Sequence, residues 1–494
     1  MAYDSAAQRL LLTVPRDWVT AHVTPFSAQT AQAKPHFGRG ALLNYDLYTN
    51  HTEHIGGQAS LWHEFRYFNE NGSFSSTGYA RENFTGNDGQ QEGYVRYDTT
   101  LLFTNEDDAM SWSIGDVISD ALSWSSSVRM GGISYGRDFS LRPDLVTWPL
   151  PEFSGEAAVP TSVDLFINGY RSGSTQLQPG PFTLTNLPYI NGAGDAVLIT
   201  TDALGRQVST TLPFYVTSDL LNAGLSDGAM TLGSLRRNYG IKNFDYGPAA
   251  GSGSYRYGMT DWLTLEGHAE GAEELALGGV GTVVKLGRFG VVNSAYTRSH
   301  MRGEDGGQIN WGYQYSTSTF SVATQHTRRD REFGNLALYD QPTVYDENDK
   351  PIASLSRNTD QYSLTFNLGQ YGNIGTAWIG VESFDRQKTE LLNLSWSRNL
   401  WGRSSVYLAA SRDRQQGDWT FALSLQVPLG ERESAAISFE KTPDAGSTQR
   451  INYNHSMPSD GGFSWNMAWA NQSQSDNYQQ ATLGWRNSNI ELQG

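Results

Sequence analysis

Trp419-Thr420-Phe421-Ala422-Leu423-Ser424-Leu425-Gln426-Val427-Pro428-Leu429 puts its large apolar side chains on odd positions and Thr, Ala, Ser and Gln between them. A period of two sends one set to each face of a β-strand. The same reading applies to Phe463, Trp465, Met467 and Trp469, and to Ile309, Trp311, Tyr313 and Tyr315. It also applies to Val95, Tyr97, Thr99, Leu101 and Phe103, and to Leu392, Leu394 and Trp396. Such segments run for about 9–12 residues, longer than the usual five or six of a soluble strand, and when tilted they match a bilayer. Turn chemistry separates them at Asn71-Gly72, Asn87-Asp88-Gly89, Asp305-Gly306-Gly307 and Asp460-Gly461-Gly462. About 22 segments of this kind read as transmembrane strands of a barrel.

The composition agrees. Of 494 residues, 38% are hydrophobic, 17% charged and 12% aromatic. Both of the first two values lie below the soluble average of about 45–50% and about 25%. The chain is polar without being charged and rich in aromatics, which excludes a disordered chain and a helical bundle. Net charge is −16 with no Lys/Arg cluster beyond pairs such as Arg236-Arg237 and Arg328-Arg329, so no nucleic-acid partner is expected. There is no cysteine, which removes disulfides and thiol chemistry. No apolar run is long enough for a transmembrane helix. The start, Met1-Ala2-Tyr3-Asp4-Ser5, is no signal peptide, so the chain reads as cytosolic or as a mature or truncated piece of an exported one. Several soluble sandwiches would also alternate, but no linkers divide the run. An open sheet of this size in lipid would leave edge groups unpaired at a cost on the order of several kcal/mol each, and closure removes them.

One region breaks the cadence. Val163 to Ile167 is short, Asn168-Gly169-Tyr170 follows, and then Gln178-Pro179-Gly180-Pro181-Phe182-Thr183-Leu184. Ala196 to Thr201, a turn at Asp202-Ala203-Leu204-Gly205 and Gln207 to Pro213 complete it, with Pro143, Pro149, Pro151 and Pro160 crowding its entry. Short strands with frequent turns read as a small β-sandwich. The fold expected is therefore all-β: a large antiparallel transmembrane β-barrel of about 22–24 strands with a β-sandwich inserted between strands 6 and 7. The expected divisions are 1–36, a tail and linker; 37–149, strands 1–6 and a linker; 150–217, the inserted domain; and 218–494, the remaining strands. A polar stretch, Asp330 to Arg357, follows strand 13 and reads as a long outer loop.

The inserted segment resembles the plug domain of the outer-membrane fimbrial ushers, on Val163 to Tyr170 and Gln178 to Leu184. Arg39-Gly40-Ala41-Leu42-Leu43-Asn44-Tyr45-Asp46-Leu47 resembles the family's first barrel strand, and Ser113-Ile114-Gly115-Asp116 the strand before the hairpin that precedes the plug. Asp202 to Arg206 and Pro213-Phe214-Tyr215 resemble the plug's last hairpin and exit, and Phe139 to Pro160 looks more like the archaic Csu-type branch than the type 1 or P-pilus branch. The family also carries a periplasmic N-terminal domain, of which Leu10 to Pro15 resembles the tail, and two C-terminal domains that this sequence lacks; its barrel has 24 strands, and this chain stops about where strand 23 would begin.

The resemblance implies a pore in the bacterial outer membrane that translocates folded pilus subunits, gated by the plug. Its partners would be periplasmic chaperone–subunit complexes, pilus subunits in the lumen and outer-membrane lipid. It implies no cofactor and no catalysis. Strands spaced about 4.8 Å apart and tilted about 40–45° give 22–24 strands a backbone diameter of about 45–50 Å, and an opening wide enough for a folded domain of about 28–34 Å. Rival functions are a plugged channel or receptor for solute uptake, an outer-membrane hydrolase and a secreted soluble β-rich binding protein. Receptors that take up solutes carry their plug before the barrel, and no nucleophile elbow, HExxH or His-centred constellation is present.

Candidate gating residues are Asn168, Gly169, Tyr170, Arg171, Pro179, Gly180, Pro181, Phe182, Asp202 and Arg206, with Asp116, Trp124 and Arg129 on the plug-adjacent hairpin. Arg171 and Arg206 are expected at plug turns. There they are either solvated, since exposed pairs contribute only about 0–1 kcal/mol, or paired with lumen carboxylates. Trp124 and Arg129 belong either to an inward-folded hairpin or to an ordinary strand with girdle aromatics. His51-x-x-His54 has metal-like spacing without a third ligand, and Asp346-Glu347-Asn348-Asp349 lacks the features of an EF-hand, so both read as surface. Glu273-Glu274, if on a strand, point to opposite faces and make no acid–base pair.

Overall fold

The computed structural model describes residues 2–4, 9–11, 22–25, 38–52, 56–85, 92–150, 153–157, 161–167, 170–177, 180–185, 191–202, 207–339, 344–345, 351–352, 355–384, 388–414, 417–443 and 446–494. Among them, 23 antiparallel strands hydrogen-bond in one closed barrel order. Six come first, from Gly40–Thr52 to Arg129–Arg137, and seventeen follow, from Ser226–Arg236 to Glu491–Gln493. Most neighbours in the order are also neighbours in sequence. Two joints inside the chain skip other strands: Arg129–Arg137 pairs with Ser226–Arg236, with Ile133 opposite Leu232, and Phe320–Arg329 pairs with Asn358–Asn367 past the two-residue strands Val344–Tyr345 and Pro351–Ile352. The last strand is three residues long and pairs Leu492 with Trp485.

Exposed large apolar side chains recur at the sequence period. In Gly40–Thr52, Leu43, Tyr45 and Leu47 all stand exposed on one face. In Trp419–Pro428, Phe421 and Leu423 do the same. A continuous apolar face of this extent is unfavourable in water and fits a hydrocarbon surround.

Contacts divide the chain into two compact units. The first comprises Met1–Val291 with Ser299–Gly303 and Gly334–Gln341. It includes the inserted domain, built as two small sheets. One orders Tyr170–Leu177, Thr161–Ile167, Gly192–Asp202 and Gln207–Val216. The other sets Gly180–Thr185 between Phe153–Ala157 and His22–Pro25, the latter running parallel to it with His22 opposite Phe182. Val163, Leu165, Ile167, Leu177, Leu184 and Leu198 are among the core residues, and Trp148 of the entry segment packs against them. Burying a side chain of this kind stabilises by about 1.5–3 kcal/mol. The second unit comprises Val292–Arg298, Glu304–Phe333 and Pro342–Gly494.

Candidate functional site

Two clusters in the first unit join segments distant in sequence. One centres on Asp116, near the end of the strand Met110–Ile118. Gly115 before it has φ +119°, and a Cβ there would lie 2.1 Å from the Thr99 carbonyl, so only glycine lets the strand pass. The Asp116 carboxylate is buried and ion-paired to Arg96; Arg96 Nη2 donates to its Oδ1 at 3.3 Å. Tyr246 Oη donates to Asp116 at 2.7 Å, the Thr99 amide at 2.9 Å, and Arg236 Nε lies 3.8 Å away. Gly131 makes room for the Tyr246 ring, which a Cβ would meet at 2.2 Å. Two buried arginines thus share one carboxylate, an arrangement that holds only while each charge has a partner.

The connection 237–245 is fastened over this cluster. The Arg96 guanidinium stacks on Phe244 at 4.4 Å, and Asn243 Oδ1 accepts from the Arg96 amide at 2.6 Å. Arg129 pairs with Asp98 at 2.6 Å and stacks on Tyr239 at 3.9 Å, while Tyr239 donates to Asp98 at 2.9 Å. Burial, and then this hydrogen bond to a carboxylate, push the Tyr239 hydroxyl up to about 12.

The second cluster lies on Leu263–Ala272. Its even positions, Thr264, Glu266, His268 and Glu270, are all buried, while Leu265 between them is exposed. Two segments cover that polar face. The first is 119–128, between Met110–Ile118 and Arg129–Arg137, closed at its base by Ser119 and Val128. Trp124 at its tip is 6% exposed, donates Nε1–H to Glu266 Oε2 at 2.8 Å and meets His268 edge-on. Gly281 gives the indole its space, since a Cβ there would lie 2.7 Å from Nε1. The second cover is 334–339, with a short helical turn at Leu336–Tyr339. The Leu336 amide donates to Glu270 Oε2 at 2.6 Å, and Asn335 Nδ2 reaches Ser126 Oγ of the first cover at 3.4 Å. His268 bridges the face, with Nε2 3.0 Å from Glu270 and Nδ1 3.0 Å from Ser254.

Glu266 also ties the cover to the exit of the inserted domain. Its Oε1 accepts from Arg256 Nε at 3.0 Å, and Arg256 Nη2 donates to the Asp219 carbonyl. The Leu221 amide donates to Thr264 at 2.9 Å. Asp219 and Trp124 are thus both linked to Glu266, the first through Arg256.

The expected residues separate accordingly. Asp116, Trp124 and Arg129 are placed in contacts, but in three different ones. Trp124 lies in the connection rather than in a strand. Arg171 falls inside Tyr170–Leu177, opposite Phe166, rather than at a turn, and Asp202 ends its strand opposite Thr161. Tyr170, Gly180, Pro181 and Phe182 are strand residues, paired with Ile167, Ala157, Glu156 and Gly155. Asn168, Gly169, Pro179 and Arg206 lie outside the described residues, as do His54 and Asp346 to Asp349. Glu273 and Glu274 form a turn rather than strand positions. Among the described residues no group of His, Asp or Glu is placed to hold a metal ion. Arg96, Arg236, Tyr246, Glu266, His268 and Glu270 were not singled out from sequence. For the last three a signal existed: ionisable residues at period two on the polar face of one strand.

A family model described as "Outer membrane usher protein" matches residues 108–494. Curated relatives include the outer membrane usher protein AfaC of Escherichia coli, 25% identical over 62% of this chain and 37% of its own length. FocD of Escherichia coli is 23% identical over 96% of this chain and 54% of its own. The chain thus spans about a third to a half of these relatives. Among solved structures, the translocation pore of the P pilus usher PapC aligns at TM-score 0.55 and 18% identity, covering 91% of this chain and 94% of that one. PapC in an E. coli P pilus tip assembly intermediate with PapD, PapK and PapG aligns at 0.70 and 16% identity, over 98% of this chain and 61% of that one.

Proposed function

The chain belongs to the outer membrane usher family, and on that premise we propose that it forms the outer-membrane pore through which folded pilus subunits pass, with residues 150–217 as its plug. The family is one of translocation pores rather than enzymes. A barrel of this strand number is wide enough for a folded domain, and such an opening left clear would leak solutes. Chaperone-bound subunits are the substrate, and the exchange of strands between subunits supplies the driving energy.

The observation that carries the gating part is the tie through Glu266. The Trp124 cover and the linker leaving the inserted domain meet on one buried carboxylate. The closed state holds while the 119–128 and 334–339 covers sit on Leu263–Ala272; docking of cargo lifts them and frees the plug. Planar-bilayer recording tests this. Deleting Ser154 to Thr217 is expected to give large, permanently open conductance, and unchanged small conductance would reject the gate. Binding of a chaperone–subunit complex in preference to small solutes separates this reading from a nutrient channel.

A further inference from the structure

The inserted domain borrows a strand. Its other described strands all lie between Phe153 and Val216, but its smaller sheet is completed by His22–Pro25, from the chain ahead of the first barrel strand Gly40–Thr52. Gly180–Thr185 lies in the middle of that sheet. On one side it pairs antiparallel with Phe153–Ala157, from Gly180 opposite Ala157 to Leu184 opposite Phe153. On the other it pairs parallel with His22–Pro25, from Phe182 opposite His22 to Thr185 opposite Pro25. All three strands belong to the first compact unit.

The residue types fit a short added strand. Val23 and Thr24 are β-branched and suit an extended backbone. Prolines bracket the joint. Pro25 ends the guest strand, and Pro181 precedes Phe182 on the host strand. Neither has an N–H to give, so the ladder loses a donor at each end. Four registered positions remain, the shortest described pairing in the domain. Parallel pairing is also slightly less stable per residue than antiparallel. The joint is therefore built to come apart before the rest of the sheet. Its loss would turn Gly180–Thr185 into an edge strand with bare backbone groups, at the strand that supplies the fully buried Leu184 to the core.

We propose that His22–Pro25 is a releasable staple of the inserted domain, through which the chain ahead of the barrel governs the pore. Paired, the segment completes the sheet and keeps the pore closed. Displaced, it bares the edge of Gly180–Thr185 and loosens the domain. Residues 26–39, between the staple and the first barrel strand, reach about 50 Å at full extension, so the staple can leave the sheet without unpairing any barrel strand. The pairing stands on backbone register alone, whereas its effect on conductance rests on the plug reading above.

The test uses the full chain, which has no cysteine of its own. Val23 stands opposite Thr183, and facing positions on neighbouring strands lie about 4.8 Å apart, within reach of a disulfide. V23C/T183C is expected to close on mild oxidation, read as a mobility shift on non-reducing gels. V23C/T210C, aimed at Gln207–Val216 in the other sheet, is expected to stay open. V23P/T24P is expected to speed amide exchange across 182–185 at least tenfold while the barrel keeps its heat-modifiable mobility. In planar bilayers the same variant should raise open probability about tenfold, and oxidised V23C/T183C should hold it below that of the reduced form. Equal crosslinking of the two cysteine pairs, or unchanged exchange across 182–185, would overturn the pairing. If V23P/T24P fails to fold, the cysteine pair decides: equal open probability in its oxidised and reduced forms would overturn the staple. Small conductance after deletion of Ser154 to Thr217 would instead reject the plug reading, and crosslinking of V23C/T183C would still decide the pairing.

Discussion

The strands Leu263–Ala272 and Lys388–Asn399 share a period of two but differ in what covers the polar face. In the first, Thr264, Glu266, His268 and Glu270 are buried beneath 119–128 and 334–339. In the second, Thr389, Asn393 and Ser395 alternate with Leu392 and Leu394, and no residue of the strand is fully buried. The bare polar face needs nothing beyond water. The covered one needs a partner for every charge, and it has them. Coverage, not alternation, marks the part of the wall where another segment is held.

Substitutions should sort along the same line. The largest effect is expected at Asp116, where Asp116→Ala leaves Arg96 and Arg236 buried without their carboxylate; a loss of about 3–5 kcal/mol should appear as a lower unfolding midpoint of the heat-modifiable band. In the inserted domain, Leu165→Ala should cost about 2–5 kcal/mol and raise open-channel conductance, because a core this small cannot absorb the cavity. Trp124→Phe keeps the ring but leaves Glu266 short of one donor, a penalty of about 1–3 kcal/mol that should raise open probability in single-channel records without altering barrel stability. On the uncovered face, Asn393→Ala should stay within about 0.5 kcal/mol in either assay. A cost there comparable to Trp124→Phe would break the comparison.

The smallest effect is one of pH. Tyr239 holds its proton more tightly in the folded chain than the ordinary value of 10.0. Its fastening of 237–245 is therefore complete below pH 10 and is lost as pH rises toward about 12. Protection of that connection from proteolysis should fall across this window, and Tyr239→Phe should abolish the step.

Much of the barrel was legible because alternation is a local property. Trp419 to Leu429 shows its two faces without reference to any neighbour, and a turn pair such as Asn71-Gly72 marks where a strand reverses. Resemblance added Asp116 and the reading of the short-strand segment as a plug. The candidate site was legible only in part. Trp124 was singled out, but its partner Glu266 lies 142 residues on, and nothing in either neighbourhood joins them. Arg96 and Tyr246 are likewise 150 residues apart. Glu270 and Leu336 meet because the connection after Phe320–Arg329 folds back, a choice that local spacing does not encode.

By itself, then, the sequence determined strand period, strand length, the inserted short-strand segment and the face each side chain takes. These follow from backbone geometry within a few residues. Only the tertiary structure decided which polar positions lose their water, because desolvation depends on what another part of the chain lays over them. That distinction turns Glu266 and Glu270 from two wall residues among many into the groups on which the covers rest.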